Sequence, residues 1–172
     1  RLNSGQIQAR NVAISPDGSR IVFKAELAGL EMLYVRDFTS FYAREIPGTE
    51  GGGSPAFSAD GRWIAYCDDR FLYKVLLDGG LPTELAEVGG LFACRGVAWL
   101  SNETLIYVPT PSAGLFQISS DGSDQRQITF PDRSTNEISH RWPRALPDQK
   151  GVTFTIKDDQ LLDFGDATVA VY

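Results

Sequence analysis

Ile14-Ser15-Pro16-Asp17-Gly18-Ser19-Arg20-Ile21-Val22-Phe23 and, 43 residues further on, Phe57-Ser58-Ala59-Asp60-Gly61-Arg62-Trp63-Ile64-Ala65-Tyr66 carry one pattern. An apolar residue leads into a short polar corner, and a β-rich apolar run leaves it. Pro presets φ at the first corner of a type I turn, Asp bonds its own backbone, and Gly takes the left-handed conformation that closes a hairpin. Two weaker copies follow: Ala98-Trp99-Leu100-Ser101-Asn102-Glu103 leading to Leu105-Ile106-Tyr107-Val108, and Ala145-Leu146-Pro147-Asp148-Gln149 leading to Val152-Thr153-Phe154. The third keeps only the Asx residue. The fourth has Gln149 where Gly is expected, which predicts a looser or longer hairpin. The turn residues Asp17 and Gly18, Asp60 and Gly61, Asn102, and Asp148 give centres 43, 42 and 46 residues apart.

Each period also holds a second half. Leu33-Tyr34-Val35, Leu72-Tyr73-Lys74-Val75 and Leu115-Phe116-Gln117-Ile118 read as third strands, and short fourth strands fall near Glu45-Ile46, Glu84-Leu85 and Gln127-Ile128-Thr129. Asp78-Gly79 and Asp121-Gly122 are turn signals between them. No sustained 3.6-residue apolar period occurs, so essentially no helix is expected. Four antiparallel strands per 40–50 residues is the arithmetic of a β-propeller blade. A blade apolar on both faces is covered only by stacking against other blades around an axis. The fold class is therefore all-β, a propeller of about four four-stranded blades over 9–50, 51–90, 91–133 and 134–172. The last is incomplete, with Ala167–Tyr172 as its third strand. Either Gly5-Gln6-Ile7-Gln8-Ala9 supplies the missing outer strand and closes a small ring, or the chain is an arc of a larger ring that pairs with another copy.

Composition agrees with a turn-rich globular domain: 172 residues, 42% hydrophobic, 22% charged, 17 Gly and 9 Pro. A net charge of −6 disfavours nucleic acid and anionic membranes as partners. No apolar run is long enough to span a bilayer. The chain starts Arg-Leu-Asn-Ser-Gly-Gln without an initiator Met or a signal pattern, and reads as a mature piece or a fragment. Cys67 and Cys94 stand among apolar neighbours and read as small buried residues in preference to a disulfide; two cysteines cannot make a four-ligand zinc site.

The turn repeats resemble those of TolB-type propellers, relatives of the Trp-Asp-repeat propellers. Ile46-Pro47-Gly48-Thr49-Glu50-Gly51, Lys74-Val75-Leu76-Leu77-Asp78-Gly79-Gly80 and Ser139-His140-Arg141-Trp142-Pro143 are similar to the C-terminal propeller extension of bacterial serine/threonine protein kinases. That resemblance implies a sensor or docking platform beyond a membrane helix, in a periplasmic or extracytoplasmic compartment. No nucleotide loop, His-Arg-Asp or Asp-Phe-Gly motif is present, so kinase catalysis is not expected of this chain.

Catalytic candidates are sparse. His140 is the single histidine, and no Gly-x-Ser-x-Gly elbow accompanies it. It reads first as an inter-blade hydrogen-bonding residue. The binding alternative puts His140, Arg141, Trp142 and Arg144 on a ring face toward an acidic partner. Asp68-Asp69 and Asp158-Asp159 read as solvated loop carboxylates, Gly51-Gly52-Gly53 as a flexible connection between blades, and Trp63 and Trp99 as inter-blade packing. No catalytic residue, metal or cofactor is expected. The expected role is a non-catalytic binding or sensor module for a protein, peptide or small ligand, self-associating if the ring is incomplete. The alternatives are the gating propeller of a serine peptidase and a TolB-like periplasmic assembly protein.

Overall fold

The computed structural model describes residues 11–89, 94–159 and 167–172. They form four antiparallel sheets, each built from strands in chain order. The first holds β1 (Val12–Ile14), β2 (Arg20–Leu27), β3 (Leu30–Asp37) and β4 (Arg44–Glu45); the second holds β5 (Gly53–Phe57), β6 (Trp63–Cys67), β7 (Phe71–Leu76) and β8 (Thr83–Glu87). The third holds β9 (Val97–Trp99), β10 (Thr104–Tyr107), β11 (Phe116–Ser119) and β12 (Arg126–Gln127). The fourth has three strands, β13 (Glu137–Ala145), β14 (Val152–Asp158) and β15 (Thr168–Val171). Among the described residues the expected absence of helix holds except for one 3-10 turn, Arg133–Thr135, capped by the Asp132 carboxylate and ended by left-handed Asn136.

The sheets lie face to face, and the period-2 pattern shows why. On β6, Ile64 and Tyr66 point into a core shared with Val22, Leu33 and Ile46 of the first sheet. The intervening Ala65 and Cys67 point the other way, into a core with Trp99, Leu105 and Tyr107 of the third. Ile106 on β10 and Val108 just past its end take the opposite face and meet Val152 and Phe154 of the fourth. The interior sheets are thus covered on both sides. Trp99, 5% exposed, packs between sheets two and three, and Trp63 lies against the same core. The first strands β1, β5, β9 and β13 are neighbours in sequence order. Among the described residues β1 and β13 do not pair, and the four sheets do not close a ring. The proposed closing segment, Gly5–Ala9, lies outside the described residues.

The turns repeat closely. Gly18 and Gly61 are left-handed at φ 72° and 69°, and each donates its N–H to the carbonyl of the residue that opens the turn, Ser15 or Ser58. Asp17 accepts from the Ser19 N–H at 3.0 Å and Asp60 from the Arg62 N–H at 3.0 Å. The looser fourth hairpin is not found. Gln149 adopts φ 58° and donates to the Leu146 carbonyl, so the turn keeps its length and Gln takes the strained place of Gly. The third turn carries the change instead. It is one residue shorter, pairing Trp99 with Leu105 where Phe57 pairs with Ile64. Asn102 still serves it: its side-chain oxygen accepts the Asp60 N–H at 3.0 Å and ties neighbouring turns together.

Two further expectations are corrected. Cys67 and Cys94 form a disulfide. Cys67 ends β6 with its side chain toward the third sheet, and Cys94 lies on the connection into that sheet, so stacking brings together residues 27 positions apart. The connection through Gly51-Gly52-Gly53 is pinned. Gly52 is buried, its N–H donates to the Thr49 carbonyl, and a Cβ there would meet the Tyr66 ring at 2.7 Å.

Candidate functional site: a cleft at the inner strands

Three of the inner strands share a feature four residues before the turn. Counting back from Ser58, Leu100 and Leu146, the equivalent residues are Ser54, Gly96 and Trp142. All three are left-handed, at φ 53°, 118° and 53°. Ser54 and Trp142 sit in register shifts of β5 and β13, and a proline follows each. A residue before proline avoids the α region, and a non-glycine left-handed residue costs on the order of 1–3 kcal/mol. The two bulges hold this conformation in place. At Gly96 the requirement is also steric, since a Cβ would lie 2.9 Å from the Trp142 Cα.

These positions converge. Ser54 and Pro55, Gly96 and Val97, and Trp142, Pro143 and Arg144 line one shallow cleft of about 20 Å³, room for roughly one water-sized group. The Trp142 N–H donates to the Arg95 carbonyl at 2.8 Å, joining β13 to the strand beside it. Asn11 holds the corresponding place in the first sheet, and its side-chain oxygen accepts the Ser54 N–H at 3.4 Å. Arg144 is exposed and is the one charged residue in the lining.

Of the four residues singled out from the sequence, the structure brings Trp142 and Arg144 to this cleft and sends the other two inward. His140 is 4% exposed, with Nδ1 2.7 Å from Thr129 Oγ1, Nε2 3.1 Å from Glu137 Oε2, and its ring 4.8 Å from that of Phe154. Glu137 as a carboxylate only accepts, so the Nε2–H tautomer of the neutral imidazole fits this pair and leaves Nδ1 to accept the Thr129 hydroxyl proton. Thr129 Oγ1 also accepts the Leu115 N–H at 2.8 Å, and Glu137 Oε2 the Asp132 N–H at 2.8 Å. The sequence carboxylate, imidazole, hydroxyl is that of an acid–base relay. Here both ends are engaged with backbone and the ring is buried, so the chain acts as a latch between blades three and four. Arg141, 8% exposed, reinforces it by donating to Ser139 Oγ at 2.6 Å and to the Pro111 carbonyl at 3.1 Å.

Electrostatics elsewhere are structural. The Ser15 hydroxyl and the Ser19 N–H and hydroxyl hold the Asp17 carboxyl at about 2, and the Ser58 hydroxyl lowers Asp60 in the same way. Burial pushes Tyr107 up to about 12. Asp68 caps its own turn, accepting from the Arg70 and Phe71 N–H groups at 2.7 Å each. Among the described residues no group of three metal-ligating side chains is assembled.

No family model and no curated protein matches the sequence. Solved structures do. The TolB-type protein of Agrobacterium tumefaciens superposes with a TM-score of 0.73 at 20% identity over 89% of this chain and 56% of its own. TolB from Acinetobacter baumannii gives 0.72 at 14% identity, covering 94% of this chain and 42% of its own. The β-propeller domain of the Trilobed protease from Pyrococcus furiosus gives 0.57 at 14% identity, over 90% and 51%. The fold is an open β-propeller. The chain spans about half the length of the propellers it matches. In that frame the four sheets are blades and the cleft lies where their inner strands converge. In the sequence the left-handed residues at Ser54 and Trp142 are marked only by the proline that follows each.

Proposed function

We propose that this propeller arc is a non-catalytic binding module whose inner-strand cleft receives a protein or peptide segment through a small acidic or carboxylate-bearing group. One observation carries the reading: three blades place equivalent left-handed residues around one cleft, with Arg144 at its side. Strained positions repeated at one level of a scaffold mark a place where backbone is held for use. The volume suits the tip of a side chain or a C-terminal carboxylate, and is too small for an organic cofactor. Arg144 supplies bidentate carboxylate recognition.

The context we favour is the sensory part of a bacterial receptor-like serine/threonine kinase in an extracytoplasmic compartment. The sequence resemblance supports the kinase link, and the Cys67–Cys94 disulfide supports an oxidising setting. The peptidase-gating and TolB-like assembly readings share the fold and differ in the neighbouring domain. An upstream kinase domain in the parent reading frame supports the proposal, and a downstream hydrolase domain overturns it.

The cleft is tested by titrating a short peptide ending in Glu-Glu into isotope-labelled protein. Amide shifts concentrated at Ser54, Gly96 and Arg144, and lost in Arg144→Glu, are expected. Shifts spread over the surface, or unchanged in the variant, refute the site.

A further inference from the structure

The Cys67–Cys94 bridge stands next to the cleft. In the register of β5 and β6, Cys67 lies opposite Gly53, the residue before Ser54. Cys94 lies two residues before Gly96. Ser54 and Gly96 both line the cleft, on walls that belong to blades two and three. The disulfide therefore joins these two walls covalently at the level of the cleft.

The third wall is tied into the same path. The Trp142 N–H donates at 2.8 Å to the carbonyl of Arg95, the residue after Cys94. A Cβ on Gly96 would come within 2.9 Å of the Trp142 Cα, so β13 lies directly on the segment that Cys94 anchors. Densely packed interiors compress little and pass strain on. Ser54 and Trp142 both hold φ at 53°, a conformation that persists only while its surroundings over-determine it. Toward the turns, blades two and three have other ties: the Asn102 side-chain oxygen accepts the Asp60 N–H at 3.0 Å, and a shared apolar core fills the space between the sheets.

We propose that Cys67 and Cys94 are a redox control on the cleft: oxidised, they hold its walls at binding distance, and reduced, they let the walls relax and release the ligand. Opening the bridge loosens blades two and three at the cleft and leaves them joined toward the turns. The ligand half of the proposal rests on the cleft reading above, and the coupling of bridge to cleft rests on the covalent path alone. Cys67 is 4% exposed and Cys94 half-buried, so exchange enters at Cys94. The thiolate of an external dithiol attacks the Cys94 sulfur, the sulfur–sulfur bond breaks, and Cys67 leaves as a thiolate. The second thiol of the reductant then displaces Cys94. The dithiol ends as a disulfide, and its two electrons and two protons end on the cysteines as two thiols. Coupling is reciprocal, so a bound ligand makes the bridge harder to reduce by the same factor by which reduction weakens the ligand.

The test compares folded protein, oxidised or held in dithiothreitol, with Ile46→Ala. Ile46 is fully buried between blades one and two, so its truncation lowers stability and leaves the bridge intact. Hydrogen exchange at the Trp142 N–H should quicken about tenfold on reduction and stay unchanged in Ile46→Ala. The peptide ending in Glu-Glu should bind oxidised protein and Ile46→Ala alike, and reduced protein about tenfold more weakly. Saturating peptide should shift the equilibrium with dithiothreitol toward the protein disulfide by that same factor. Cys67→Ser/Cys94→Ser should match the reduced form with or without dithiothreitol. Trp142 exchange that ignores reduction, or that quickens equally in Ile46→Ala, overturns the coupling. Equal peptide affinity in both redox states overturns the control and leaves the cleft reading standing. Binding to neither state refutes the cleft reading, and Trp142 exchange then decides the coupling by itself.

Discussion

Removing the Cys67–Cys94 bridge is the perturbation with the most direct consequence for the fold. The bond closes a loop across 27 positions that contains all of β7 and β8, the outer half of blade two. The chain-entropy relation for a loop of that length gives about 3–4 kcal/mol of stability. For a protein of this size that corresponds to a loss on the order of 10 °C in Tm. The assay is urea or thermal unfolding of wild type with and without a phosphine reductant, beside Cys67→Ser/Cys94→Ser. Wild type should drop by this amount on reduction to the level of the double variant, and the double variant should not respond to reductant. Thiol titration of unreduced, denatured protein should find none. Two free thiols, or a change on reduction below about 1 kcal/mol, would refute the stacking reasoning, because the bond exists only if blade two faces the connection into blade three.

Three further outcomes are expected. Thr129→Val strands the Leu115 N–H and the His140 Nδ1 together, and should cost about 2–3 kcal/mol in denaturant unfolding. Gln149→Gly relieves a left-handed side chain and should raise stability by about 0.5–1 kcal/mol in the same assay, despite the entropy a glycine adds to the unfolded chain. Asp17 and Asp60 have folded values below their unfolded ones, so their contribution is present above about pH 4 and is lost as pH falls toward about 2. Asp17→Asn should flatten that acid limb in melts recorded between pH 2 and 5.

The architecture was legible because its signal is local and repeated. A corner centred on Asp or Asn and a flanking β-rich run mark each hairpin, and their even spacing implies stacked sheets. The reading of His140 as a bond between blades also came from position, at the start of an inner strand, and its partner Thr129 is on blade three. The disulfide was not legible. Nothing in a separation of 27 residues indicates proximity until sheets are laid face to face, and the apolar neighbours that suggested simple burial are the packing that brings the sulfurs together. Gln149 misled for a related reason: local preference favours Gly there, but the ladder on either side over-determines the turn and imposes φ 58° on whatever residue is present. Arg141 and Arg144 are indistinguishable by composition, yet Arg141 is buried against Ser139 and the Pro111 carbonyl while Arg144 is exposed at the cleft.

The shortened third corner has a practical meaning. Blade three dispenses with a residue there, yet Leu105 and Trp99 remain opposite each other and the layers beneath keep their places. The tips of these hairpins are thus decoupled from the stack, and changes of length at that level stay at that level. A foreign epitope spliced between Ser101 and Glu103 would be displayed on a rigid support without disturbing it, although the tether from Asn102 to its neighbour would be given up.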